Sequence, residues 1–365
     1  MRPPGPPTLL AAPDAFKGTA SAVDLAAAAA RAAAAAGWGA DPCPLSDGGE
    51  GFAPVLAAGR AGSWHEAVVT GPLGTPVTAR WWAAGEQAVV ESASASGLPL
   101  AGGPAGNDPL GATTRGTGEL VVAAVAAGAR RVLVGVGGSA TTDGGRGAVQ
   151  AIEAAGGLHG AEVVVACDVV TGYVAAARGF GPQKGATPAQ VAVLERRLEA
   201  YAAELRRAHG VDVLALPGAG AAGGLAGGLA ALGARLVPGL DLVAEAVGLA
   251  GRVARADLVL TGEGRLDATS WEGKVVGGVV AAATAAGVPV WIVAGAVGPG
   301  GMEGLLPPGP AGGDRATPGV TVFSLSDRFG PGTAMEDPVG CLRDVLSAEL
   351  PPGARGAGGR PPAPG

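Results

Sequence analysis

At 365 residues the chain exceeds the usual size of a single core, and 48% hydrophobic but only 4% aromatic content means its interiors are built from Ala, Val and Leu. A net charge of −6 and a pI near 5.2 exclude a broadly basic nucleic-acid or anionic-membrane surface, though not a local cationic pocket. Charged residues at 15% are too few for a disordered polyelectrolyte, despite 67 Gly and 30 Pro.

In chain order, Met1-Arg2-Pro3-Pro4-Gly5 lacks the apolar stretch of a signal peptide. Residues 8–13 predict a short buried strand, and 21–36 a helix with Ser21 as N-cap and Gly37 as its stop. That Ala-rich stretch is too short to span a membrane and carries Arg31. Residues 64–70, 77–84 and 87–92, separated by Gly-Pro and Ala-Gly turns, predict an antiparallel meander. Helix and strand then alternate: helix 117–127, strand 131–136, helix 145–155, strand 162–167 and a long helix 188–209 with Pro188 near its start. A last alternation gives strand 257–260, helix 273–286, strand 289–293 and strand 320–324. Residues 298–318 are expected to form a long mobile Gly/Pro loop, and 351–365 a disordered tail.

Such alternation implies an α/β fold with parallel sheets and helices on both faces. Two domains are expected: a parallel α/β domain from both chain ends, 1–62 plus 257–350, and an inserted α/β domain, 63–256, that contains the meander. Cys43, Cys167 and Cys341 are odd in number and lack metal-like spacing, which fits idle thiols in a reducing cytoplasm. The expected protein is cytoplasmic, with no nucleic-acid or membrane partner; a homo-oligomer is left open.

Only three lysines occur, and each adjoins a glycine: Lys17-Gly18, Lys184-Gly185 and Gly273-Lys274. All other basic residues are Arg, so a retained Lys marks a place that needs a compact ammonium, and the neighbouring Gly lets a charged ligand approach the backbone. Four segments just beyond strands combine Asp or Glu, Gly and a small hydroxyl or a cation. They are Ala12-Pro13-Asp14-Ala15-Phe16-Lys17-Gly18-Thr19, Ser46-Asp47-Gly48-Gly49-Glu50-Gly51, Gly137-Gly138-Ser139-Ala140-Thr141-Thr142-Asp143-Gly144-Gly145, and Thr261-Gly262-Glu263-Gly264-Arg265-Leu266-Asp267.

In the third, glycines after a strand let backbone N–H groups converge, and the following helix start adds partial positive charge. Asp143 there is either an ionised group able to hold a metal or take a proton, or a plain N-cap. Gly135-x-Gly137-x-x-Ala140 and Gly218-x-Gly220-x-x-Gly223 match dinucleotide fingerprints, as chance alone produces among 67 glycines. Gly218 and Gly220 form either a phosphate cradle or a close helix packing. Gly273-Lys274 is not a Walker loop, since Val275 stands where a hydroxyl residue is needed. His65, His159 and His209 lie outside all these loops and support no triad or zinc site.

Taken together, residues 12–21, 46–51, 91–98, 108–119, 135–147, 165–169, 180–188, 217–228 and 257–274 resemble the bacterial glycerate kinase family, which is unrelated to Walker-type kinases. The resemblance implies ATP- and Mg²⁺-dependent phosphorylation of D-glycerate, usually on the 2-hydroxyl, by a two-domain α/β protein. It departs from the family at three places. Residues 170–179 lack the usual Asn-Pro-Leu segment after Asp168, Phe52 stands for a usual Thr, and Arg115 for a usual aromatic.

On this reading Lys17, Lys184 and Arg265 clamp the phosphates and the glycerate carboxylate. Gly137, Gly138 and Ser139 donate to the moving phosphoryl group, and Gly218, Gly220 and Lys274 help to hold ATP. Asp47, Asp143, Glu263 and Asp267 are the candidate Mg²⁺ ligands. Asp143, then Asp47, is the first choice for orienting or deprotonating the hydroxyl. The alternatives are a nicotinamide-dependent oxidoreductase of a small hydroxy acid and a non-catalytic nucleotide sensor.

Overall fold

The computed structural model describes residues 5–168, 170–305 and 319–353. Its strands in chain order are β1 (Thr8–Ala11), β2 (Gly39–Pro42), β3 (Ser63–Thr70), β4 (Pro76–Ala84), β5 (Gln87–Glu91), β6 (Arg131–Gly135), β7 (Glu162–Ala166), β8 (Arg235–Val237), β9 (Leu258–Leu266), β10 (Val290–Val297) and β11 (Val320–Ser324). The chain splits into two compact units, Met1–Ser46 with Val243–Gly365, and Asp47–Leu242. We call them the terminal and the central unit.

The terminal unit holds a fully parallel sheet of order β11-β10-β9-β1-β2. Strands covered on both faces read as continuous apolar runs, and Leu9, Leu10, Val259, Leu260, Ile292 and Val293 are all buried. The helix Ala22–Ala35 begins where Ser21 accepts from the Asp24 amide at 3.1 Å. It ends before Gly37, whose φ of +81° suits glycine. Its face of Leu25, Ala26, Ala29 and Ala33 joins Leu342, Val345 and Leu346 of the helix Pro338–Glu349 in one core.

The central unit's sheet runs β3-β4-β5-β6-β7-β8. β3, β4 and β5 pair antiparallel as the expected meander, and β5 to β8 pair parallel. The long helix Pro188–His209 starts from a capping box in which Thr187 and Gln190 exchange hydrogen bonds, and ends at Gly210 with φ +73°.

Several boundaries differ from expectation for identifiable reasons. The fourth motif is not a loop: β9 continues to Leu266 because β10 pairs with it through Ala294↔Glu263, Ala296↔Arg265 and Val297↔Leu266. β2 and β8 carry almost no strand signal; each borrows its order from one parallel neighbour, β1 and β7. Residues 47–62 group with the central unit, since Phe52 is fully buried against the Gly135 end of β6. Residues 243–256 group with the terminal unit, where Arg252 pairs with Asp41 at 2.6 Å. The unit boundaries thus fall ahead of the expected 62/63 and 256/257.

Pro351 and Gly353 are held in place, by Trp38 Nε1 donating to Pro351 O and the Gly353 amide to Ala36 O, each at 2.7 Å. The rest of the expected tail, and residues 306–318 of the expected loop, lie outside the described residues. Among the described residues no helix is long and apolar enough to cross a membrane.

Small residues set how closely elements approach. A Cβ on Gly118, in the helix Arg115–Ala126, would lie 2.6 Å from Ala148 Cα on the helix Arg146–Ala154. Gly118→Ala gains about 1 kcal/mol of helix propensity but forces two backbones apart, an overpacking of about 1–3 kcal/mol. The expected outcome is a lower urea midpoint than the parent's; an unchanged or higher midpoint contradicts the close packing.

Candidate functional site

In the central unit the 137–147 segment leaves β6 and enters the helix Arg146–Ala154. Gly137 has no room for a side chain because Gly49 packs against its Cα, and Gly138 and Gly145 adopt φ of +67° and +79°. Asp143 organises the turn. Its Oδ2 accepts from the Thr114 amide (2.9 Å), the Thr114 hydroxyl (2.8 Å) and the Gly147 amide (3.1 Å), and its Oδ1 from the Gly145 amide (3.0 Å). Four donors match the roughly four lone-pair directions of a carboxylate. Asp143 is not the N-cap residue, which is Gly145 for this helix and Thr114 for Arg115–Ala126, but it accepts from free amides at both helix starts, and few directions remain for a metal.

Lys184 ends the turn Pro182–Lys184 and is only 4% exposed. Its Nζ donates to Ser139 Oγ at 2.9 Å and to Thr141 O at 2.6 Å. Burial lowers its pKa from 10.5 to about 7, with the Asp143 charge pulling the other way. Asn107, which the sequence reading did not single out, ties this lysine to the loop: its Nδ2 donates to Ala140 O (3.0 Å) and Lys184 O (2.9 Å). The Asn107 Oδ1 is buried without a hydrogen-bond partner.

Asp47 is 2% exposed in the turn that follows β2. Its Oδ1 accepts from the Gly49 amide at 3.1 Å, while its Oδ2 is buried with no hydrogen-bond partner. Gly48, at φ +94°, lies against Ala166 O at the end of β7, and Gly239 against Asp47 O. The turn is thereby fixed beside the carboxyl ends of β6 and β7, where parallel sheets place ligands.

The second glycine run is a packing device. Positions a side chain would fill at Gly220, Gly223 and Gly224 are taken by Gly172 O, Thr141 O and the Gly144 backbone. Gly218 has φ +78° and opens this tight turn. Phe52 lies in the core, and Arg115 forms a surface ion pair with Glu119 at 2.9 Å.

In the terminal unit, a cavity of about 350 Å³ is lined by Lys17, Arg265 and Lys274 together with Asp14, Glu263 and Asp267. Asp267 Oδ1 accepts from the Thr269 amide (2.9 Å) and hydroxyl (2.8 Å), which holds its pKa below the usual carboxylate range. Lys274 Nζ donates to Thr269 Oγ1 at 2.9 Å. Burial raises the Glu263 pKa against a hydrogen bond from Ser270, and Glu263 Oε1 is buried with no hydrogen-bond partner. Among the described residues no group of three or more His, Cys, Asp or Glu is placed to hold a metal by itself.

Five of the expected site residues thus share the terminal unit's cavity. Asp47, Gly137, Gly138, Ser139, Asp143 and Lys184 belong to the central unit.

Comparisons with known proteins bear on the family and the fold. The model of the glycerate kinase family matches residues 9–156 and 153–308. The chain is 42% identical over 289 residues to glycerate 2-kinase of Escherichia coli, covering 70% of this chain and 75% of that protein. It is 42% identical over 325 residues to glycerate kinase of Bacillus subtilis, covering 79% and 85%. A crystal structure of a Salmonella typhimurium LT2 chain assigned as glycerate kinase 2 superposes with a TM-score of 0.74 at 34% identity, covering 94% of this chain and 98% of that one.

The lowered Lys184 pKa carries a stability consequence. Between about 7 and 10.5 the unfolded lysine keeps a proton that the folded one has lost, so unfolding takes up a proton. The charge-burial penalty is full below the folded pKa and fades as pH rises to the unfolded value. The Lys184 contribution to the denaturation midpoint is therefore expected to rise over that window, and Lys184→Met to remove that part of the slope. Identical pH dependence in parent and variant contradicts the buried ammonium.

Proposed function

We propose, for a chain that belongs to the glycerate kinase family and phosphorylates glycerate, that ATP is the donor, Mg²⁺ the metal and the 2-hydroxyl of D-glycerate the acceptor. Phosphoryl transfer needs alignment and charge stabilisation more than covalent help. The observation that carries this reading is the terminal unit's cavity, which Lys17, Arg265 and Lys274 line together with Glu263, whose Oε1 is buried with no hydrogen-bond partner. Three cations suit a polyphosphate. Mg²⁺ is commonly held by one or two carboxylates plus phosphate oxygens and water, so it needs no all-protein cage, and among the described residues there is none. Glu263, with Asp267 beside it, is the residue to hold the ion, which when bound neutralises charge on the phosphate oxygens.

In the central unit, Gly137, Gly138 and Ser139 donate to the transferred phosphoryl group, and the Lys184 ammonium offsets its charge. Asp143, with its oxygens occupied by Thr114, Gly145 and Gly147, acts by positioning and by favouring the protonated lysine. Asp47, with Oδ2 unpartnered, is the better base. It takes the proton of the glycerate hydroxyl as that oxygen bonds to the γ-phosphorus and the bond to the ADP oxygen breaks. Gly218 and Gly220 serve the packing of the loop.

ADP release is expected only when D-glycerate is present, and phosphorus NMR of the product should show 2-phosphoglycerate. A 3-phosphate product, or equal turnover of L-glycerate, overturns the acceptor assignment. Lys184→Ala should lower kcat about 10²- to 10³-fold with the fold retained, as loss of one transition-state donor does. Lys17→Ala and Lys274→Ala should mainly raise the KM for ATP, and Glu263→Gln the Mg²⁺ concentration required. Parent-like kinetics in all four removes the site assignment.

A further inference from the structure

A second cavity, of about 450 Å³, lies in the central unit between the 109–113 segment, the start of the helix Arg146–Ala154 and the helix Pro188–His209. Its lining includes neither Ser139, Lys184 nor Asp47, so it is separate from the groups given roles in transfer there. It shares Thr142, Asp143, Arg146 and Gly147 with the 137–147 segment.

Its chemistry is two-sided. Leu110, Leu194, Leu198 and Tyr201 form an apolar wall, and Arg146, Arg197 and Gln150 supply donors. The Arg146 guanidinium is stacked 4.1 Å over the Tyr201 ring and pairs with Glu204 at 2.9 Å. Arg197 donates through Nη1 to Leu110 O at 2.8 Å. Each guanidinium is thus held in place by bonds that use a minority of its five N–H donors. Gln150 follows Arg146 by one helical turn, on the same face. The Asp143 carboxylate is already covered by four donors from the protein.

We propose that this cavity binds a small organic oxyanion, a carboxylate or phosphate carried on a ring or branched carbon body. The charged head meets Arg197, Arg146 and Gln150, and the carbon body lies on the leucine and tyrosine wall. The volume is within the usual range for small-molecule sites. The volume and the wall distinguish this site from one for a bare inorganic ion. An occupant would rest on Thr142 and Asp143, the far side of the loop whose Thr141 O receives Lys184. That position suits an effector rather than a substrate.

The test is calorimetric titration of the full chain with benzoate, phenyl phosphate and inorganic phosphate. At least one aryl anion is expected to bind with a Kd of about 1 mM or tighter, at least about tenfold better than inorganic phosphate, since only it covers the apolar wall. Arg197→Ala, a change at an exposed side chain, should weaken that binding about tenfold or more, and Gln150→Ala should weaken it less. Preference for benzoate or for phenyl phosphate separates a carboxylate from a phosphate ligand. ATP with Mg²⁺ should leave the binding unchanged. No saturable heat up to about 10 mM of either aryl anion, equal binding to Arg197→Ala, or displacement by ATP overturns the proposal. Because the readout is heat and not turnover, failure of the kinase assignment and failure of this site give different results.

Discussion

The carboxylate of Asp143 is the point on which the 137–147 segment of the central unit depends. One side chain joins the start of the helix Arg115–Ala126, through Thr114, to the start of Arg146–Ala154, through Gly145 and Gly147. Thr114 Oγ1 in turn accepts from the Ala148 amide at 3.0 Å, closing the knot. Two helix starts held by one anion leave the intervening loop little freedom. The loop can therefore present Ser139 and the Thr141 carbonyl to a buried lysine in a fixed arrangement. An ammonium in so dry a place is costly, and these oxygens and the nearby carboxylate offset the loss of water.

Small residues make that arrangement possible. The loop approaches the 218–228 segment so closely that the Gly223 and Gly224 positions leave no space for side chains, and Tyr173 donates to Gly144 O at 2.6 Å from the same side. The chain's poverty in aromatic residues and wealth in Gly and Ala is thus more than a compositional bias here. It lets backbone rather than side chain form the walls, which suits the proposed presentation of N–H groups to phosphate oxygens.

Much of this was legible because it is local. Ser21, Gly37 and Pro188 announce their helix ends, the Asp-Gly grammar located the 137–145 segment and Asp47, and the scarcity of lysine located Lys184. What was hidden depends on partners far along the chain. Nothing near Asn107 signals that it will hold Lys184, and the donors on Asp143 include Thr114, which precedes another helix. Glu263 and Arg265 look like loop residues until β10 is laid beside them. Phe52, flagged only as a departure from the family pattern, owes its place to Gly135, whose missing side chain leaves it room. The family was readable because its motifs are runs of neighbouring residues; the division of labour among its acids was not, since that depends on which oxygens are already taken.

The most direct measurement exploits the scarcity of lysine. With side-chain ¹⁵N-labelled lysine the protein should give three ammonium signals, one for each of Lys17, Lys184 and Lys274. Lys184→Ala would assign the one of interest. The account predicts that this signal titrates near 7 in the free protein, and that its pKa rises when phosphoglycerate is added, as a phosphate comes to share the charge. Titration of all three signals near the ordinary lysine value, or a Lys184 signal indifferent to the phosphorylated product, would contradict it.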